Sequence, residues 1–467
     1  MKTLTVHECV DHIQITQEDK LYSITRDDAE ELDAYFKSRY PNKEYLQWSR
    51  DQVSFLNVVG YIQLTNVAIE ILPKVNISGD LKHARSMLLH MLERSAFLQV
   101  SYSHVAHLDI SDNNLYEIYA SLFASLLEKE LRSGLQSQYV EHEDNKFILK
   151  GSLVIKEQLK NKMQRNNKVY CKYEEFTANH LLNQILKAAI HVALPNIRNT
   201  NTIKKLKKCS LVMAEIELIP VHTDQLKNLR FNRTNQRFEP CLLLAKLFLE
   251  QQTTNMASGV QKGYSILFPM EELFEQYIAV MLKRIIPTYK VHIQHRKYRL
   301  LLNEQRNTAV YPLLPDVVIE IDGKEQVVID TKWKRIKSGV HRHRVKREDL
   351  FQMYAYANRY EDVSHTILVY PYNEFLIGNA GEILESWLIE GAPTKRIQMC
   401  SIDLSSEKTV RNSLLAMLHE LNILPSSCIW QEKNAEFGNY FVHSLARLKF
   451  HNFNGGKEHA EGDSSLL

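Results

Sequence analysis

A chain of 467 residues has room for two or three domains, and its 44% apolar and 24% charged residues exclude a fibrous or wholly disordered protein. The formal charge of only +3 excludes a bulk polycation, so any grip on a polyanion has to come from local basic patches. Six scattered cysteines (Cys9, Cys171, Cys209, Cys241, Cys400, Cys428) with no CxxC pair argue against a disulfide framework, a zinc knuckle or an iron–sulfur cluster and point to reduced thiols.

Residues 1 to about 78 read as β-rich. "VSFLNVVGYIQLTNVAIEILPKV" (53–75) clusters β-branched residues between Gly60 and Pro73, and the opening "MKTLTVHECVDHIQ" has no apolar core of a signal segment. No stretch reaches the ~18 apolar residues of a membrane span, so a soluble, cytoplasmic protein is expected. Apolar residues recurring at three and four predict helices over 81–100 and 114–135. A short strand is expected at "FILKGSLVI" (147–155), and the polar run "KEQLKNKMQRNNK" (156–168) follows. A helix then begins at "TANHLLNQILKAAIHVAL" (177–194), with Thr177 as its cap. The basic knot "IKKLKK" (203–208) reads as a solvated helix face, and "PCLLLAKLFLEQQ" (240–252) as another helix.

The polar segment "TTNMASGVQKG" (253–263) marks a boundary near residue 256. Beyond it, "PMEELFEQYIAVMLKRI" (269–285), two strands over 316–332, "REDLFQMYAYANRY" (347–360) and "HTILVYPY" (365–372) run helix, strand, strand, helix, strand. That order describes a compact α/β unit. The fold class expected is therefore mixed α/β, with a β-rich region at 1–105, a mainly helical one at 106–255 and an α/β domain at 256–425. A C-terminal extension at 426–467 completes the chain, its Gly- and Ser-bearing tail (451–467) expected to be disordered.

The most informative stretch is "LLPDVVIEIDGKEQVVIDTKWKR" (313–335). Two apolar arms flank Asp322-Gly323, a tight-turn pair. Side chains at i and i+2 share a strand face, so Asp330 and Lys332 point one way and Thr331 the other. A three-residue loop at 322–324 would set Ile321 against Glu325 and Asp316 across from Asp330, with Cβ atoms about 5 Å apart. A two-residue loop would slip the register and send Asp316 to the other face. Facing carboxylates are stable with a cation between them, and oxygen-only ligation suits Mg²⁺ or Mn²⁺. A lysine beside such a metal fits phosphodiester hydrolysis.

A lone D-x-K most often marks only a solvated face; the surrounding residues add to it. Glu271, Glu272 and Glu275 on the preceding helix offer a further carboxylate. Gln352 and Tyr356, four apart, share a helix face. Between the D-x-K and that helix lies "KWKRIKSGVHRHRVKR" (332–347). Such a run reads either as a disordered, solvated loop or, with Lys334, Arg335, Lys337, Arg342, Arg344, Lys346 and Arg347, as a phosphate-gripping loop, and its place beside the hairpin favours the second.

The succession helix-Glu, Pro-Asp, Asp-x-Lys and Gln-x-x-x-Tyr resembles the PD-(D/E)xK nuclease superfamily, in its RecB-like branch. Residues 58–75, 115–135, 150–159, 169–190 and 347–357 narrow this to a resemblance to the McrC family, covering about 50–405. The family is the nuclease component of McrBC-type, modification-dependent restriction systems. The resemblance implies a DNA endonuclease with Asp316, Asp330 and Lys332 as its catalytic motif and Gln352 and Tyr356 as auxiliary residues. Glu275 stands first, and Glu272 second, as the helix carboxylate. Asp316, Asp330 and Glu275 would be the metal ligands. It also implies a McrB-like AAA+ GTPase hexamer as partner, which reads modified cytosine and on which the N-terminal part docks. Consistently, this chain has no GxxxxGK[ST] loop of its own. Lys74 and Arg165 are named as trial contacts with that ring. Two copies are expected to meet for double-strand cleavage. The competing readings are a non-catalytic scaffold that activates the ring and a free-standing RecB-like repair nuclease.

Overall fold

The computed structural model describes residues 2–17, 22–75, 81–95, 113–258, 264–338 and 345–424. The N-terminal strands are β1 (Lys2–His7), β2 (Ile13–Ile15), β3 (Ser23–Ile24), β4 (Leu46–Ser49), β5 (Gln52–Phe55), β6 (Val58–Gln63) and β7 (Val67–Leu72). They form two sheets, ordered β3-β2-β5-β4 and β1-β7-β6-β11, where β11 (Tyr264–Pro269) comes from beyond the helical middle. All six residues of β7 are buried, as expected of a strand covered on both faces. Gly60, at φ 132°, sits where β11 pairs with β6, and a Cβ there would lie 1.9 Å from the Ile266 carbonyl oxygen. Only glycine lets the two backbones approach so closely.

The β-rich expectation misses one helix, α1 (Arg26–Arg39). Its signal is present in the sequence. Thr25 and Asp28 form a capping box, and Ala29, Leu32 and Phe36 recur on its buried side.

Helix α2 (Leu81–Arg94) follows the N-terminal strands, and the middle region contains α3 (Leu115–Arg132), α4 (Ile155–Met163), α5 (Leu181–Ala193), α6 (Thr200–Val212), α7 (Thr223–Asn228) and α8 (Glu239–Ser258). The basic knot lies on α6, where Lys208 reaches Glu128 of α3 at 2.8 Å and Lys205 donates to Ser125. The β content between α3 and α5 is larger than the expected strand at 147–155. A three-stranded sheet runs β8-β10-β9, from β8 (Gln138–Lys146), β9 (Ser152–Leu153) and β10 (Val169–Thr177). Residues 147–151 form the exposed turn after β8, and 156–163 are helical. Thr177 ends β10 instead of capping α5, whose N-cap is His180.

The last part begins with α9 (Met270–Ile285), followed by β12 (Lys290–Ile293), β13 (Arg299–Asn303), β14 (Thr308–Pro312), β15 (Val317–Ile321) and β16 (Lys324–Thr331). Then come α10 (Arg347–Arg359), β17 (His365–Pro371), β18 (Ile383–Ile389), β19 (Ala392–Ile402) and α11 (Glu407–Glu420). The six-stranded sheet is ordered β12-β15-β16-β17-β19-β18, with β16-β17 and β17-β19 parallel. Alternation along its central strands sorts the core into two layers. Val317, Ile319, Val327, Ile329, Ile367 and Val369 pack with α9 and α11. Val318, Val328, Leu368 and Tyr370 pack with Met353, Tyr356 and Ala357 of α10. Among the described residues no helix is long and apolar enough to cross a membrane.

Candidate active site

The β15–β16 hairpin reaches the expected pairing by an unexpected route. Its turn is the two-residue kind: Ile321 pairs with Lys324, and Asp322 and Gly323 carry φ of 53° and 80°, the pattern of a type I′ turn. The three-residue loop is therefore incorrect. Left alone, that turn would put Asp316 opposite Ile329. A register shift intervenes, so that Glu320 pairs with Glu325 but Ile319 pairs with Val327. Gln326 is the extra residue of a β-bulge. The ladder then continues to Val317 with Ile329, which leaves Asp316 opposite Asp330 one step further out.

Asp330 lies on the same sheet face as Val328, under α10. There Lys332 Nζ lies 2.5 Å from Asp330 Oδ2 and donates to Gln352 Oε1 at 2.9 Å. Gln352 Nε2 in turn donates to Asp330 Oδ1 at 3.1 Å and to the Tyr356 hydroxyl at 2.8 Å. Asp330, Lys332, Gln352 and Tyr356 thus form one closed network. Asp316 Oδ2 accepts from the Thr331 amide at 2.6 Å and from its hydroxyl at 2.7 Å, so Thr331 takes part in the site although alternation points it away from Asp330. Of the helix carboxylates, Glu275 faces this group and accepts from Gln294 Nε2 at 3.1 Å. Glu272 pairs with Lys43 at 2.6 Å, and Glu271 accepts from Asn57.

Burial and the charges of Asp330 and Glu275 push the Asp316 carboxyl well above the usual carboxylate range, against the hydrogen bonds from Thr331. Burial likewise raises Asp330, with Lys332 opposing it. Glu275 is raised by burial and by Asp330, opposed by Gln294. At Lys332 burial disfavours the charge but Asp330 outweighs it, so its pKa is raised. Burial and Asp330 also raise Tyr356. Three carboxylates that disfavour one another's ionisation are a donor set suited to a hard divalent cation. As placed, no three His, Cys, Asp or Glu side chains among the described residues stand close enough together to hold one ion. Asp316 is turned onto Thr331 and Asp330 onto Lys332, so binding would require those side chains to rotate.

The basic candidates separate. Lys334 is held by both carboxylate oxygens of Asp349, at 2.9 and 2.8 Å, and Arg335 pairs with Glu374. Lys337 is exposed, 5.0 Å from the Phe375 ring centroid, and Lys346 and Arg347 are exposed at the start of α10. Arg342 and Arg344 lie outside the described residues. Lys74 is buried, which corrects its naming as a partner contact; Arg165 is exposed after α4. Gln294 and Thr331 are site residues that composition and spacing do not flag. Gln294 has φ 48° and its amide donates to the Asp316 carbonyl at 2.8 Å, a backbone fact with no sequence signature.

The model of the family described as "McrBC 5-methylcytosine restriction system component" matches residues 53–371, more than half of the chain. Among solved structures, the chain is similar to one in the refined half-complex from the tetradecameric assembly of Thermococcus gammatolerans McrB AAA+ hexamers with bound McrC. The TM-score is 0.67 at 20% identity, covering 89% of this chain and 99% of that one. A chain of the cryo-EM structure of the T. gammatolerans McrBC complex matches with a TM-score of 0.49 at 24% identity, over 62% of this chain and 89% of that one. No curated protein matches.

Proposed function

The chain belongs to the family of McrBC 5-methylcytosine restriction system components, and from that premise we propose that it is the DNA-cleaving subunit of such a system, a metal-dependent endodeoxyribonuclease of PD-(D/E)xK type working in the cytoplasm. The observation that carries this reading is the closed network of Asp330, Lys332, Gln352 and Tyr356 opposite Asp316. Asp316, Asp330 and Glu275 would hold Mg²⁺ or Mn²⁺. Such an ion, when bound, polarises a phosphate and lowers the pKa of a water. Lys332 places its ammonium where negative charge accumulates on the phosphate under attack. Gln352 bridges Lys332 and Asp330 by hydrogen bonds, and its Nε2 also donates to the Tyr356 hydroxyl. Lys337, Lys346 and Arg347, with Arg342 and Arg344, would grip the DNA backbone.

The partner follows by analogy with the T. gammatolerans assembly, in which McrB AAA+ hexamers carry bound McrC. We propose that this chain docks on a McrB-like AAA+ GTPase hexamer, stimulates it, and leaves the reading of modified cytosine to it. The sheet β8-β10-β9 with α4 supports a docking role. It exposes Phe147, Ile148, Leu149, Ile155 and Met163, more apolar surface than an isolated small module usually leaves to water. Two copies would meet to cut both strands.

The test compares wild type with Asp330→Ala, each with its AAA+ partner, on cytosine-methylated plasmid with Mg²⁺ and GTP or ATP. Cleavage by wild type alone, with equal stimulation of nucleotide hydrolysis by both, is the expected result. Equal stimulation with no cleavage by either would reject the nuclease role in favour of a ring-activating scaffold.

A further inference from the structure

A second buried polar cluster, built from the N-terminal region, grips the residue that follows Lys332. Trp333 is 1% exposed, Glu8 0% and Lys74 4%. The Trp333 indole N–H donates to Glu8 Oε1 at 2.5 Å. Lys74 Nζ donates to the Trp333 carbonyl at 2.9 Å and to Asn57 Oδ1 at 2.8 Å, and lies 5.5 Å from the centroid of the indole ring. Asn57 in turn reaches the start of α9. Its carbonyl accepts from the Met270 amide at 2.9 Å, and its Nδ2 donates to Glu271 at 3.0 Å. Phe274, next to Glu275, packs on Trp333 with ring centroids 5.3 Å apart. The N-terminal strands therefore hold both elements that deliver site residues, the end of β16 and the first turn of α9.

Burying Glu8 beside Lys74 is costly to a fold, and an apolar replacement of such a pair is often neutral or stabilising. A role beyond stability is consistent with that cost. The Lys332 amide is tied to the Val369 carbonyl at 2.8 Å, so the backbone on either side of the lysine is fixed, by the sheet before it and by Lys74 and Glu8 after it. We infer that Glu8 and Lys74 are positioning residues for Lys332: through Trp333 they keep its ammonium on Asp330 and Gln352, which makes the cutting geometry conditional on the β-rich N-terminal region. The inference rests on the nuclease reading above.

Single-turnover cleavage by the full chain with its partner, at saturating Mg²⁺, tests it. Glu8→Ala and Lys74→Met are each expected to lower the rate constant about tenfold or more, since a displacement near 1 Å costs up to about a hundredfold. The Mg²⁺ concentration for half-maximal rate should not move. Glu8→Gln, which keeps an acceptor for the indole N–H, should recover the rate to within about threefold. On a Lys332→Ala background Glu8→Ala should cost nothing further, whereas a purely structural defect would multiply with it. If Glu8→Ala does not fold, Trp333→Phe, which loses the N–H but keeps the ring, replaces it. Wild-type rates in the clamp variants, or losses that multiply with Lys332→Ala, would overturn the positioning role while the nuclease reading stands. A wild type that does not cut fails the nuclease reading itself, and the inference with it.

Discussion

At Asp316 the carboxylate is held above its ordinary pKa by burial and by the charges of Asp330 and Glu275. A group whose folded pKa is raised adds stability at low pH and loses it as pH rises through the raised value. Asp316→Asn removes that charge yet keeps an oxygen to accept from the Thr331 amide and hydroxyl. In chelator at pH 8 the variant should melt above wild type by roughly 2 °C, about 1 kcal/mol. The gap should close toward pH 4, and cleavage with Mg²⁺ should fall at least about a hundredfold. A variant that melts at or below wild type at pH 8 would show that the carboxylates do not repel as placed. Asp330 and Lys332 are legible from the sequence through strand alternation, whereas Asp316 comes opposite Asp330 only through the bulge at Gln326. Gln294 is not legible, because its role depends on a left-handed backbone at the end of β12. Asp349 as the partner of Lys334 is hidden for a different reason: fifteen residues separate the two, and only the return of α10 over the sheet joins them.

At the scale of the hairpin, turn and bulge are two deviations that cancel. The Asp322-Gly323 signal correctly marks a turn, but the bulge at Gln326 has no composition cue, and the expected pairing of the aspartates holds only because of it. Removing Gln326 would leave Glu320 opposite Glu325 and Ile319 opposite Val327, so Asp316 and Asp330 would still face each other. Its carbonyl accepts from the Ser364 amide at 3.0 Å and from its hydroxyl at 3.4 Å, so the deletion should cost about 1–2 kcal/mol of stability. Cleavage should nevertheless remain detectable. A folded deletion variant with no cleavage would mean that the bulge sets the site by more than register. The overlooked α1 is the opposite case, fully legible from Thr25 and Asp28. Thr25→Ala should lower stability by about 1 kcal/mol in thermal denaturation without changing the cleavage rate.

Across the whole molecule, chain order and spatial order differ, which limits what linear reading recovers. β11 follows the helical middle yet completes the N-terminal sheet, and Glu8 and Trp333 meet across 325 positions. Periodicity reports each element but not which distant strand it joins. The module β8-β10-β9 with α4 is the clearest unused surface. Cys171 and Tyr173, two of its buried side chains, join none of the three core clusters, while Phe147 is 82% and Met163 85% exposed. Changing both to Asp should therefore leave the fold intact, with melting within about 1 °C of wild type. If this module is what docks on the AAA+ ring, the same change desolvates two charges in an apolar contact. Anchors of that kind are each worth more than about 1 kcal/mol. The double variant should then bind the ring at least about thirtyfold more weakly, lose stimulation of nucleotide hydrolysis and no longer co-elute with the hexamer. Unchanged co-elution and stimulation would assign docking to the β-rich N-terminal strands instead. In that case ring contact would act directly on the region that holds Trp333 in place.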